Sequence, residues 1–417
     1  MMFRVGVALV VWGVGWVPLV AAPPAAKKVD PNPKSLEVSP EDLSKARQLV
    51  QKLGSETFRE REEAERALTE MGRLARPALL DAINLDPNPE IRHRAAFLLP
   101  KANADEMQAR LEVFLADTKG EYEHHLPGWQ QLRAVVRGET TLFGWSHVAR
   151  PQLEKAAREL FIEFMQTPGA RPLMLALERP PTELGREIAA RKQEIYNAMY
   201  PRRPGVTPRN PTPTEMAAVL LAEASVHSRY IPRSMVITNF LTQSGIPGVI
   251  QGSNDRAQAI KAILTAWIET RSEVNDITTA LNIAGNILRD PDVAGRLAIR
   301  ILQTPGLTGL QKSTAITHLV QSGAKQHLPL LEKAMTDTTM VTTLVRVVNG
   351  QQMRETIEVR DVALAGAIVL SGQDPVEYGF EKVGAAGGAF HYTRARIASD
   401  KRAAALEKWQ QWRQNNP

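Results

Sequence analysis

From residue 39 onward, apolar residues recur every three or four positions in short runs, and each run ends at glycine, proline or a turn-forming polar residue. This period is that of amphipathic helices. In "SPED" (39–42), Ser39 is placed to cap a helix, Pro40 to take its first position and the acids to fill its first turn. Leu43, Ala46, Leu49, Val50 and Leu53 then form one stripe, and Gly54 is expected to end the helix in the left-handed conformation. Ser55 opens the next helix, with Phe58, Ala64, Ala67, Leu68 and Met71 as its apolar face and Gly72 as its stop. "RPALLDAI" (76–83) predicts a third helix. "LDPNPEIRHRAAFLL" (85–99) predicts a fourth, capped by Asn88 with Pro89 in its first turn. Each face is too narrow to bury alone, so the helices are expected to stack.

The helical pattern persists through "HHLPGWQQLRAVV" (124–136), "ARELFIEFM" (157–165) and "LRDPDVAGRLAIRIL" (288–302). It closes with "SDKRAAALEKWQQW" (399–412), read as a capped helix that packs through Leu406, Trp409 and Trp412. Two segments break it. "YPRRPGVTPRNPTPTE" (200–215) holds five prolines and no apolar face, and predicts a solvated linker between two lobes. "GAAGG" (384–388) has no lysine to complete a phosphate cradle and reads as flexible chain. A third interruption differs from these. Val341–Val348 is β-branched and apolar, and Asn349-Gly350 tolerates the positive φ of a type I′ turn. Gln351 to about Ile357 supplies a second strand, pairing Val348 with Gln351, Arg346 with Met353 and Leu344 with Glu355. A β-hairpin is therefore expected at about 341–357, just before a helix that restarts at Glu358.

One helical stretch occurs twice. "NPEIRHRAAFLL" (88–99) and "IEVRDVALAGAIVL" (357–370) share an acid, a β-branched residue, an arginine and alanines along one face. With the preceding Pro77, Leu80 and Asp86, the first copy resembles a HEAT repeat, and so does the second with Pro329, Leu331 and Asp337. The resemblance covers about a third of the chain. It implies an all-α, armadillo-like α-solenoid of antiparallel helix pairs with one inserted hairpin. It also implies a structural ladder in which Asp86 and Arg92, and Asp337 and Arg360, hold neighbouring units. The resemblance extends to exported bacterial proteins of this type. The expected organisation is N-terminal repeats over 39–117, a helical continuation over 118–200, a Pro/Arg-rich linker over 201–213 and a C-terminal lobe over 214–417.

Ahead of the helices, "MMFR" and the apolar run "VGVALVVWGVGWV" (5–17) lead into "PLVAA" (18–22), a signal-peptide pattern with small residues for cleavage after Ala21. Residues 23–38 read as a disordered tether. Export to the periplasm or beyond is expected; the alternative is an anchor formed by residues 5–22, which alone would bring a membrane contact. The absence of cysteine excludes disulfides, thiolate metal sites and cysteine nucleophiles. A formal charge of +6 with basic and acidic residues interleaved argues against a dedicated nucleic-acid footprint.

The densest group of chemistry-bearing residues is "EYEHH", with Glu121, Glu123, His124 and His125. Adjacent imidazoles on a helix would point apart, so the cluster reads as a solvated turn before Pro127-Gly128 rather than as a metal site. No HExxH, GxSxG, Walker A or EF-hand pattern is present. No cofactor is implied. The function expected is a non-enzymatic scaffold for a protein partner. The alternatives are an extracytoplasmic hydrolase assembled from distant helices, or a binder of anionic polymer.

Overall fold

The computed structural model describes residues 29–139, 149–231, 237–271, 273–348, 351–381 and 389–416. The signal-like segment, Trp145, His147, the Asn349-Gly350 turn and the "GAAGG" stretch lie outside the described residues. Within them the chain is mostly helical, with one antiparallel two-stranded sheet. No described helix is long and apolar enough to cross a membrane. The chain divides into two compact units at Leu126/Pro127.

The first unit contains α1 (Pro40–Lys52), α2 (Phe58–Met71), α3 (Arg76–Leu85) and α4 (Pro89–Ala116). Ser39 caps α1 by accepting from the Asp42 amide at 3.1 Å, and Asn88 caps α4 by accepting from Glu90 at 2.9 Å. The core is alanine-rich: Ala46, Ala64, Ala75, Ala78, Ala82, Ala95 and Ala102 separate Val50, Leu53, Leu68, Leu79, Ile91 and Leu98. Small residues let helices approach closely, and the larger ones fill what remains.

Three local expectations are corrected here. Gly54 is absent from the positive-φ positions. Its constraint is space, since a Cβ there would lie 2.7 Å from Asn88 Nδ2 and 2.9 Å from Ile91 at the start of α4. The positive-φ stop is Gly72, at φ 55°. The second helix starts at Phe58, not Ser55. Arg61 binds the carbonyls of Ser55 and Glu56 and holds them in a turn, while its guanidinium lies 5.8 Å from the Phe58 ring. Phe58 is thus 65% exposed rather than part of the core. In the expected tether, Pro33–Leu36 forms one 3-10 turn, and Arg73 fixes it through the Leu36 carbonyl at 2.7 Å.

The second unit begins with α5 (Trp129–Arg137), α6 (Glu154–Gln166), α7 (Arg171–Ala176), α8 (Pro181–Met199) and α9 (Pro213–Ala224). There follow α10 (Ile237–Gln243), α11 (Ile246–Val249), α12 (Asp255–Glu269), α13 (Val274–Ile283), α14 (Pro291–Gln303), α15 (Gly309–Gln321) and α16 (Leu328–Ala334). Strands β1 (Met340–Val348) and β2 (Gln351–Glu358) come next, then α17 (Val359–Leu370) and α18 (Arg402–Asn415). Residues 124–128, read in the sequence as helical, precede α5 as irregular chain. Glu358 is the N-cap of α17, one residue before the helix proper. At α18, Lys401 is the N-cap without a side-chain bond, so the expected side-chain cap is absent, and Arg402 at the first helical position bonds Asp361. Ala405 and Trp409 are its buried residues.

Helix α9 is the centre of this unit. Every residue from Glu215 to Ala224 is buried, because α6, α7, α8 and α12 surround it. A helix apolar all round is the kind that can occupy such a place. Yet it carries a glutamate near each end. Glu215 accepts from Arg191 at 2.5 Å and from Arg209 at 3.0 Å, and forms a capping box with Thr212. Arg209 thereby anchors the proline-rich segment at one point, while residues 202–210 remain exposed, as the sequence suggests. At the other end Glu223 accepts from Lys192 Nζ at 2.8 Å and from the Trp267 indole at 2.6 Å. Arg271 lies 3.8 Å from the same carboxylate and donates to the Glu223 carbonyl at 2.8 Å.

Burial alone would push the Glu223 carboxyl up. Lys192 and Arg271, with the bonds from Lys192 and Trp267, outweigh it and hold the group below its usual value of 4.5. A depressed carboxyl contributes stability that is present above pH 4.5 and lost as pH falls through the folded value. Glu223→Gln keeps the shape but leaves two buried cations without their anion. It is expected to cost about 3–5 kcal/mol and to flatten the acid limb of stability, as measured by denaturant melts across pH.

Candidate functional site

The two copies of the repeated stretch use their aspartates alike. Asp86 follows α3 and accepts from the Asn88 amide at 2.9 Å; Asp337 follows α16 and accepts from the Thr339 amide at 2.9 Å. Each carboxylate closes a turn on the residue two positions on. Each also takes a donor from an earlier helix: Gln51 of α1 at 3.2 Å for Asp86, and Lys312 of α15 at 2.6 Å for Asp337. The arginines are used differently. Arg92 donates to the carbonyls of Asp86 and Pro87, at 2.8 and 2.9 Å. Arg360 meets Asp337 through its backbone amide at 2.9 Å, while its Nε lies 2.6 Å from Glu358.

The "EYEHH" cluster is not a uniformly solvated turn. Glu121, Glu123 and His125 are exposed, but His124 is buried, with Nε2 2.9 Å from Asp117 Oδ2 and its ring edge-on to Phe114. Asp117 also accepts from the amides of Glu121 and Tyr122, so one carboxylate organises the whole segment after α4. A cavity of about 290 Å³ adjoins it, lined by Glu37, Glu106, Arg110, His124, His125 and apolar residues that include Leu36 and Leu126. An imidazole–carboxylate pair is half of an acyl-transfer site, but no hydroxyl side chain lines this cavity. Among the described residues no three His, Asp or Glu side chains converge to hold a metal ion.

A second cluster gathers at the root of the hairpin. On the β1 side, Asp337 is tied to Lys312. Burial acts to raise this carboxyl, but the bonds from Lys312 and Thr339 hold it below its usual value. A Cβ at Gly309, the first residue of α15, would collide with the Met340 carbonyl, so glycine there lets the helix abut the strand. On the β2 side Arg402 of α18 grips Asp361 with two bonds, at 2.9 and 2.8 Å, and donates to the Thr356 carbonyl at 2.6 Å. Asp361 also accepts from the Glu358 amide at 2.9 Å. Burial raises the Asp361 carboxyl above its usual value, and Arg402 opposes this only in part. The hairpin thus leaves the helices between two charged clasps.

The strand register is Val348 with Gln351, Arg346 with Met353 and Leu344 with Glu355, as the sequence predicts, with one irregularity between Met340 and Thr342. Ile357 is buried and Leu344 half-buried, so the face carrying Thr342, Leu344 and Ile357 lies toward the helices. Thr343, Val345 and Arg354 are exposed on the other.

No protein-family model matches the chain, and no curated protein matches it. Sequence reasoning missed Lys192, Glu223, Asp361 and Arg402. The available signal was an acid enclosed by apolar neighbours, as in "AAVLLAEA" (217–224) and "VRDVALA" (359–365). Buried acids require partners, although the sequence does not say which residues supply them.

Arg402→Ala would leave the Thr356 carbonyl and the Asp361 carboxylate short of a donor. Expected is a loss of about 1–3 kcal/mol together with faster amide hydrogen exchange at Ile357 and Glu358. Unchanged exchange there would show that the clasp does not hold the strand.

Proposed function

We propose that this chain is a non-enzymatic, exported scaffold of the HEAT-like, armadillo-type class, and that it binds another protein. The observation that carries this reading is the hairpin: an element apart from the helical core, yet clasped by ion pairs at both strands of its root. An isolated two-stranded hairpin is marginal in water, and fixed charges at its base give it a defined direction. The aspartate turns at Asp86 and Asp337 support the HEAT-like reading, since they repeat one joint between successive helices. Among the described residues, the His124–Asp117 pair is the feature that favours a hydrolase. Its bonds to the surrounding turn suit it better to a structural role. Interleaved charge continues to argue against an anionic polymer as partner.

Export predicts that the native protein begins at or near Ala22, which N-terminal sequencing of the extracytoplasmic fraction would read directly. An intact Met1 on cytoplasmic protein would overturn it. The scaffold reading predicts that replacing 341–356 with a short glycine-serine link leaves the helical circular dichroism intact and weakens capture of partner from that fraction. Unfolding would make the hairpin a structural part instead, and unchanged capture would place the partner elsewhere.

A further inference from the structure

The two edges of the hairpin are unequal. The Thr356 carbonyl points away from β1, because Arg402 binds it from outside. Thr343, its partner in the register, therefore sits in a non-hydrogen-bonded pair, and its own amide and carbonyl face outward from β1. By the two-residue period of a strand, Val345 and Val347 do the same. The outer edge of β2 is blocked at its root by Arg402, while α15 abuts β1 at Met340 and Val341. Among the described residues no backbone group bonds to the β1 edge between Thr342 and Val348.

Proteins usually blunt such edges with proline, lysine, a bulge or a covering element. Here the irregularity among the described residues lies at the root, between Met340 and Thr342. The stretch beyond it, "TTLVRVV", contains no proline or lysine. Val345 is 57% exposed at its middle.

We propose that this edge pairs with the β1 edge of a second copy of the chain, antiparallel about a two-fold axis through Val345. The proposal deepens the reading of the hairpin as an interaction element and rests on it. The edge is self-complementary about that residue. Val345 pairs with Val345 of the copy and Thr343 with Val347, so all three outward-facing positions of each strand find partners. The result is a continuous four-stranded sheet, and a sheet of that size supplies the support that two strands lack. Such an interface is isologous and closed, so association stops at the dimer. One short edge buries less than the ~1,000 Å² of a stable interface, so the dimer is weak and depends on concentration.

The test is sedimentation of the full mature chain over a concentration series, with Val345→Lys and Val345→Glu separately and mixed. The wild type is expected to pass from monomer to dimer. Each variant alone should remain monomeric, because the axis sets its new charge against itself, and the mixture should recover the dimer. The proposal is overturned if the wild type is monomeric throughout, if the mixture does not recover, or if replacing 341–356 leaves the dimer in place. Should the wild type be monomeric while that replacement still weakens partner capture, self-pairing fails and the scaffold reading stands.

Discussion

The second unit depends on one electrostatic constraint: Glu223 is fully buried and must keep its cations. Its carboxylate joins Lys192 of α8, Trp267 of α12 and Arg271 just beyond α12, so two segments distant in sequence are fixed to one point on α9. Apolar contacts along α9 would tolerate small rotations or slips between helices. A charge without water does not, because a partner lost in the interior is not replaced by solvent. A hydrophobic residue of similar volume could give equal or greater stability. What the ion cluster contributes in addition is register.

The same economy appears at the other polar joints. Glu215 at the opposite end of α9 ties Arg191 and Arg209 together, and Glu163 of α6 holds Arg256 of α12 at 2.8 Å with Thr214 alongside. Pairs of this kind between exposed side chains contribute little. Here they occur where loops enter or leave a buried helix, so each fixes a chain direction as well as a contact.

Elements defined by local chemistry could be read from the sequence. Ser39 and Asn88 cap their helices because a short side chain before a helix has amides within reach. The hairpin register follows from turn length and strand period alone. Features set by distant partners could not be read in the same way. Gly54 looked like a helix stop, but its neighbours are Asn88 and Ile91, more than thirty positions on. His124 looked solvated because Asp117 and Phe114 lie outside its own short cluster. Nothing in the composition of the proline-rich segment foretells that Glu215 will take Arg209. Periodicity reports which residues are buried. It does not report what polar groups meet once they are.

The Arg402 clasp also orders events in time. Arg402 follows Asp361 by 41 residues and Thr356 by 46, so both strands leave the ribosome well before the side chain that secures β2. Lys312 precedes Asp337 by 25 residues, so the β1 clasp can form as soon as its strand appears. A nascent chain therefore passes through an interval in which the hairpin is tethered on one side only and the β2 edge is uncovered. Any factor that shields exposed strands during synthesis or transport would have its greatest effect in that interval, and synthesis of α18 would bring it to a close.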